Sequence, residues 1–134
     1  MGFVMDINDS IDVDIPFFVT AHEVAHQWWG MQLVAANVKG KHMILETLSQ
    51  YAALMVMKSH YGEAAMQSIL TMEKERYEEG LLNHPSAEVA LIDVDDEEYI
   101  YYSKGALQLY QLYLLIGEDK LNSALSQFLS LIHI

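Results

Sequence analysis

The apolar positions of this chain follow a helical period from Thr20 onward, with glycines standing where successive stretches end. The first 19 residues break that rule. They are acidic and contain Pro16, and they read as a loop leader with room for a short strand. Thr20, with Glu23 three positions on, fits a capping box that would open a first helix, and Gly30 is its natural C-cap. Residues 31–42, with Asn37 and Gly40, read as loop. A second helix is expected over about 43–60, stopping at Gly62, and a third over about 63–79, closed by Gly80. Residues 84–97 hold Pro85 and several acids and read as loop. A fourth helix is expected over 99–116, ending at Gly117. A fifth starts near Asp119, with Leu121, Ala124, Leu125 and Phe128 on one face. Glu118 and Asp119 would stand at its N-terminus, where negative charge is favoured. The expected fold is mainly α, with about five helices and little strand.

Size and composition narrow this picture. A chain of 134 residues suits one domain, and its apolar half suffices for a core. The longest apolar run, residues 107–116, is interrupted by Gln108 and Gln111 and is too short to span a bilayer. The net charge of −12 argues against nucleic acid, whose phosphates such a surface repels. The acids gather at residues 6–14, 73–79 and 93–98, and all three groups read as solvated surface. Attraction of cationic peptide ends is the alternative use for them. There are no cysteines, so any metal must be held by His, Asp or Glu. Composition gives no compartment.

The chemistry concentrates in "TAHEVAHQWWG", residues 20–30. On a helix, residues four apart lie about 40° apart in rotation and about 6 Å apart along the axis. His22 and His26 therefore face the same way from successive turns, and two imidazoles so placed can share one zinc ion. Glu23 lies beside them and can reach a metal-activated water without ligating the metal. H-E-x-x-H on a helix is the general signature of zinc peptidases, with the glutamate as base. Glu23 cannot cap the helix and also catalyse, so an earlier helix start is the alternative to Thr20. A third ligand is needed. Residues 27–45 contain neither Asp nor Glu, and Glu46 is the first acid reached. An antiparallel second helix would return it to the histidines, giving His₂Glu and an open position. His42, His60, His84 and His133 form no such pattern and read as surface or loop residues.

These residues resemble the aminopeptidase N family of zinc metallopeptidases, a gluzincin group. "HEVAHQWWG" is similar to that family's zinc helix. "ETLSQYAAL" is similar to its third-ligand segment, with Glu46 and Tyr51 in place. "YYSKGALQLYQLYLLIGED" is similar to its Y-x-K-G helix start, with Tyr102, Lys104 and Gly105 matching. The resemblance implies the helical part of a thermolysin-like catalytic domain and a single Zn²⁺ held by His22, His26 and Glu46. It also implies that Glu23 is the general base, that Tyr102 donates to the developing oxyanion, and that the substrates are peptides. Trp28 and Trp29, like Met55 and Met57, are expected in the core. Lys104 and Gly105 are expected to place and pack the fourth helix.

The sequence departs from the family pattern in three ways. The gap between His26 and Glu46 is one residue longer than usual, as in family members joined to membrane transporter-like segments. The G-x-M-E-N segment that anchors a substrate amine is absent, and so are the strands expected before the zinc helix. Residues 1–134 are therefore expected to be a single partial domain of a larger, membrane-attached polypeptide. The reading from another class is a non-catalytic zinc-binding or scaffold domain on the same fold. Intact Glu23 and Tyr102 favour the enzyme.

Overall fold

The computed structural model describes residues 13–85 and 88–131. The acidic stretch before residue 13, with its expected strand, and the final residues 132–134 lie outside them. Five helices form the described chain, with no strand among the described residues: α1 (Ile15–Ala25), α2 (Leu48–Tyr61), α3 (Glu63–Asn83), α4 (Gly105–Ile116) and α5 (Glu118–Ser130). α1 packs on α2, and α2 on α3; α4 lies against α2 and α3, and α5 follows against α4. The mainly α expectation holds. No described helix is long and apolar enough to cross a membrane.

α1 begins five residues before Thr20. Asp14 is its N-cap, with Oδ1 accepting from the Phe17 amide at 2.9 Å, and Pro16 sits in the first turn, where its missing N–H costs nothing. Thr20 is not a cap; its hydroxyl donates to the Pro16 carbonyl at 2.8 Å. The early start leaves Glu23 in the body of the helix, free of a capping role. The helix also ends early. His26 is its C-cap residue, and Gly30 stands four residues beyond in a turn of its own, with φ +131° and its amide bonded to the Leu33 carbonyl.

Two of the expected helices begin with wide turns. Residues Met43–Thr47 and Tyr99–Lys104 are π-helical, each running directly into the α-helix after it. The two π segments touch: the Thr47 hydroxyl donates to the Tyr101 carbonyl at 2.5 Å. Gly105 makes that approach possible, because a Cβ there would lie 2.6 Å from Thr47 Cγ2 and Oγ1. Gly80, expected to close α3, lies inside it. Its role is close packing, since a Cβ would meet the Tyr99 ring at 2.3 Å. Gly62 and Gly117 do stop α2 and α4, at φ +93° and +89° with extended ψ, a conformation open essentially only to glycine.

The main core joins Phe18, Leu54, Met57, Met66, Ile69 and Ala106. Met57 is fully buried and Met55 packs at its margin, as expected. A second cluster holds Ala25, Trp29, Leu33 and Leu48, and the Trp29 ring stacks on Phe128 of α5. The tryptophans part company here. Trp29 is buried, whereas Trp28 is nearly half exposed and is not a core residue. On the expected face of α5, Leu121 is buried and Leu125 half-buried, while Ala124 and Phe128 stay exposed.

Candidate metal centre

α1 and the turn before α2 bring His22, His26 and Glu46 together, with one ligand atom of each within 4.8 Å of the others. His22 Nε2 lies 3.1 Å and His26 Nε2 3.4 Å from the same oxygen, Glu46 Oε2. The rings of His22 and His26 meet edge to face, 4.8 Å apart. His22 is buried; His26 and Glu46 are partly so.

The hydrogen bonds on the far sides of the rings determine where the protons sit. His26 Nδ1 faces the Trp29 carbonyl at 3.0 Å, and a carbonyl can only accept. Ser49 Oγ, 3.2 Å from the same nitrogen, gives its own proton to the Leu45 carbonyl and so also accepts. His22 Nδ1 faces Gln50 Oε1 at 2.7 Å, again an acceptor. In each ring the Nδ1 acceptor lies closer than Glu46 Oε2 lies to Nε2, so the neutral rings keep their proton on Nδ1 and both Nε2 atoms present lone pairs. Two nitrogen lone pairs and a carboxylate oxygen then converge with no proton between them, an arrangement that a cation relieves. Separations of 3.1 and 3.4 Å match the edge of a tetrahedron with bonds of about 2.0–2.1 Å, which is roughly 3.3 Å. The donor set fits zinc in chemistry, and both distances to Glu46 fit it in spacing.

Electrostatics adds to this. Burial works to raise the Glu46 pKa, yet its polar contacts with His22 and the Tyr102 hydroxyl and the field of the two imidazoles together hold it below its usual value. Tyr102 comes from the second π segment, its ring 5.7 Å from that of His22. Burial first, then the Glu46 charge, push its pKa up, so the hydroxyl stays protonated and able to donate at neutral pH. Glu23 is exposed and lines a hollow of about 320 Å³ with His22, Tyr102, Phe18, Val19 and Met72. A broader groove of about 660 Å³, lined by Glu98 and Tyr99, meets that hollow at Tyr102 and Arg76. Of the five candidate residues, His22, Glu23 and Tyr102 line this hollow, and His26 and Glu46 lie beside His22 behind it.

The neighbouring matches behave as structural parts. The Tyr51 hydroxyl donates to Asn122 of α5 at 2.8 Å, and burial pushes its pKa up to about 12. Lys104 pairs with Glu88 at 2.7 Å and donates to the Val89 carbonyl, tying the loop to the start of α4.

Residue-by-residue reading overlooks three supporting side chains: Ser49, Gln50 and Glu73. Glu73 belongs to the acid group read as solvated surface, yet it is 1% exposed. The signal was present in the spacing. Met66, Ile69, Leu70 and Glu73 occupy one helical stripe, and the first three are buried core.

The family model for the peptidase family M1 domain matches residues 9–133, nearly the whole chain. The chain belongs to peptidase family M1. This is the aminopeptidase N group that its motifs resemble, whose members are zinc-dependent metallopeptidases acting on peptides. Searches of curated proteins and of solved structures return no significant match. The match runs through all three motif-bearing segments, from α1 to the Tyr102 segment.

Proposed function

We propose that this M1 chain carries the catalytic centre of a zinc aminopeptidase, with one zinc ion held by His22, His26 and Glu46. The observation that supports it most is the convergence of two lone-pair Nε2 atoms on Glu46 Oε2, with both protons drawn to the far sides of the rings. When bound there, zinc supplies Lewis-acid polarisation and a water of lowered pKa. Glu23 takes the proton of the water that attacks the scissile carbonyl and delivers it to the departing amine nitrogen. Its exposed position on the wall of the hollow, beside His22, suits that exchange. The protonated Tyr102 hydroxyl donates to the carbonyl oxygen as negative charge grows on it. The apolar wall formed by Phe18, Val19 and Met72 offers a seat for substrate side chains and limits water.

Residues 1–134 are read as the helical part of a thermolysin-like domain within a larger, membrane-attached polypeptide. Leu114 and Leu115 of α4, 64% and 81% exposed, are an apolar surface that further chain would cover.

Glu23→Gln in the full polypeptide is expected to keep stoichiometric zinc and lose at least about 10²-fold in turnover of aminoacyl anilides. Undiminished hydrolysis by that variant would remove Glu23 from the mechanism. Zinc binding without any cleavage by the unaltered protein would favour the scaffold reading. Cleavage only within longer peptides would replace aminopeptidase with endopeptidase.

A further inference from the structure

Glu73 does not touch the candidate ligands, yet it is a carboxylate set in the core at 1% exposure. Burying such a group is costly unless its oxygens are met by donors. Here they are. Oε1 accepts from Gln50 Nε2 at 2.8 Å and lies 3.4 Å from Arg76 Nη1, and Oε2 accepts from Ser103 Oγ at 2.7 Å.

The consequence runs along three helices. A carboxylate can only accept, so Gln50 must turn its amide nitrogen toward Glu73. Its carbonyl oxygen is then left facing His22 Nδ1 at 2.7 Å. That oxygen also only accepts and lies closer to Nδ1 than the Glu46 carboxylate lies to Nε2, 2.7 Å against 3.1 Å, so in the neutral ring the His22 proton is drawn to Nδ1 and Nε2 keeps its lone pair. With Gln50 reversed, an N–H would face Nδ1, the proton would move to Nε2, and the donor atom would be lost. His26 needs no such device, because the Trp29 backbone carbonyl performs the same task directly.

We propose that Glu73, acting through Gln50, is a positioning residue that locks His22 in its Nδ1–H form and so keeps Nε2 available to a divalent cation such as zinc. The cation part rests on the metal reading above; the tautomer part stands without it.

The test uses the full chain, unaltered and as Glu73→Gln and Gln50→Met. The first variant replaces an acceptor-only group with an amide that tolerates either orientation of Gln50. The second removes the His22 partner at similar volume. Nitrogen-15 NMR of the imidazoles in metal-free protein reads the tautomers, and competition with a chelator reads Zn²⁺ affinity. The unaltered chain is expected to show His22 protonated on Nδ1. Both variants are expected to lose that uniform state and to bind Zn²⁺ about 10- to 100-fold more weakly. His26 is expected to keep its tautomer throughout, which separates a lost relay from a disturbed fold. Wild-type tautomer and affinity in the folded variants would overturn the proposal, and either variant alone decides if the other does not fold. Neutral His22 carrying its proton on Nε2 rather than Nδ1 in the unaltered metal-free chain would overturn it as well. An unaltered chain that binds no Zn²⁺ but shows the Nδ1–H tautomer would sink the metal reading and leave the relay standing.

Discussion

At the scale of single residues, the site depends on side chains with unremarkable chemistry in exacting positions. Thr47 is fully buried, and its hydroxyl joins the turn bearing Glu46 to the segment bearing Tyr102. Gly105 is the residue that lets Thr47 come so close. Gly105→Ala would push a methyl group into Thr47 Cγ2 and Oγ1, and overpacking of this kind typically costs about 1–3 kcal/mol. Its expected outcome is a lower midpoint in chemical denaturation, together with weaker zinc binding as Glu46 and Tyr102 are displaced. An unchanged midpoint would mean that the two π segments separate at no cost. The roles proposed for His22, Glu23, His26 and Glu46 could be read from spacing alone, because one helix repeat and one acid-free gap leave few arrangements open. The pairing of Gln50 with Glu73 could not. A glutamine and one acid among many carry no sign of being paired until their helices are packed.

At the scale of elements, the start of α1 shows how local chemistry competes. The sequence pointed to Thr20 as the cap, and the folded chain uses Asp14. Asp14 wins because a start there brings Ile15, Phe17 and Phe18 into the helix, and Phe18 into the core. Asp14 also accepts from the Tyr61 hydroxyl of α2 at 2.6 Å, so the cap doubles as a clasp between helices. That bond, followed by the Phe17 amide, lowers the Asp14 pKa below its ordinary value of 3.8. The sign follows from linkage. A carboxylate whose folded pKa is depressed contributes stability that is full above its unfolded pKa and fades as pH falls through the folded one. The Asp14 contribution is therefore expected to be intact above about pH 5 and to decline below about pH 4. Asp14→Asn keeps a capping oxygen but does not titrate. Denaturation of the two proteins compared at pH 6 and pH 3 should show a stability gap that narrows in acid; a gap that widens would contradict the assignment.

The π segments belong to the same scale. Sequence periodicity marks 43–60 and 99–116 as helical, and both are. It does not distinguish a turn of wider pitch from an α turn, since the same residues can form either. The wide turns occur where Glu46 and Tyr102 approach the histidines, and insertions of this kind frequently mark functional sites.

At the scale of the whole molecule, the candidate metal centre gathers side chains from parts of the chain that are distant in sequence. Two donors come from α1 and its cap, the third from the turn leading into α2, and Tyr102 approaches from the far side of α3 in chain order. A ligand that binds only the folded form stabilises it by mass action. Free Zn²⁺ at about 100 times its Kd should add about 2.7 kcal/mol. Calorimetry is expected to show a rise in Tm with Zn²⁺ that a chelator reverses and that His22→Ala abolishes. A Tm indifferent to Zn²⁺ would mean that the three donors do not act as one site.

What the sequence determined by itself is what local rules govern. The spacing H-E-x-x-H and the wait until Glu46 named the candidate donors, glycines ended α2 and α4, and the apolar period called for five helices. What tertiary structure decided is what depends on distant partners. Packing against α2 chose Asp14 over Thr20, and contact between two π segments set the positions of Glu46 and Tyr102. A buried carboxylate on α3 orients Gln50, and through it the proton of His22. Hydrogen bonds between groups far apart in the chain have no period, so their partners become visible only when the chain is folded.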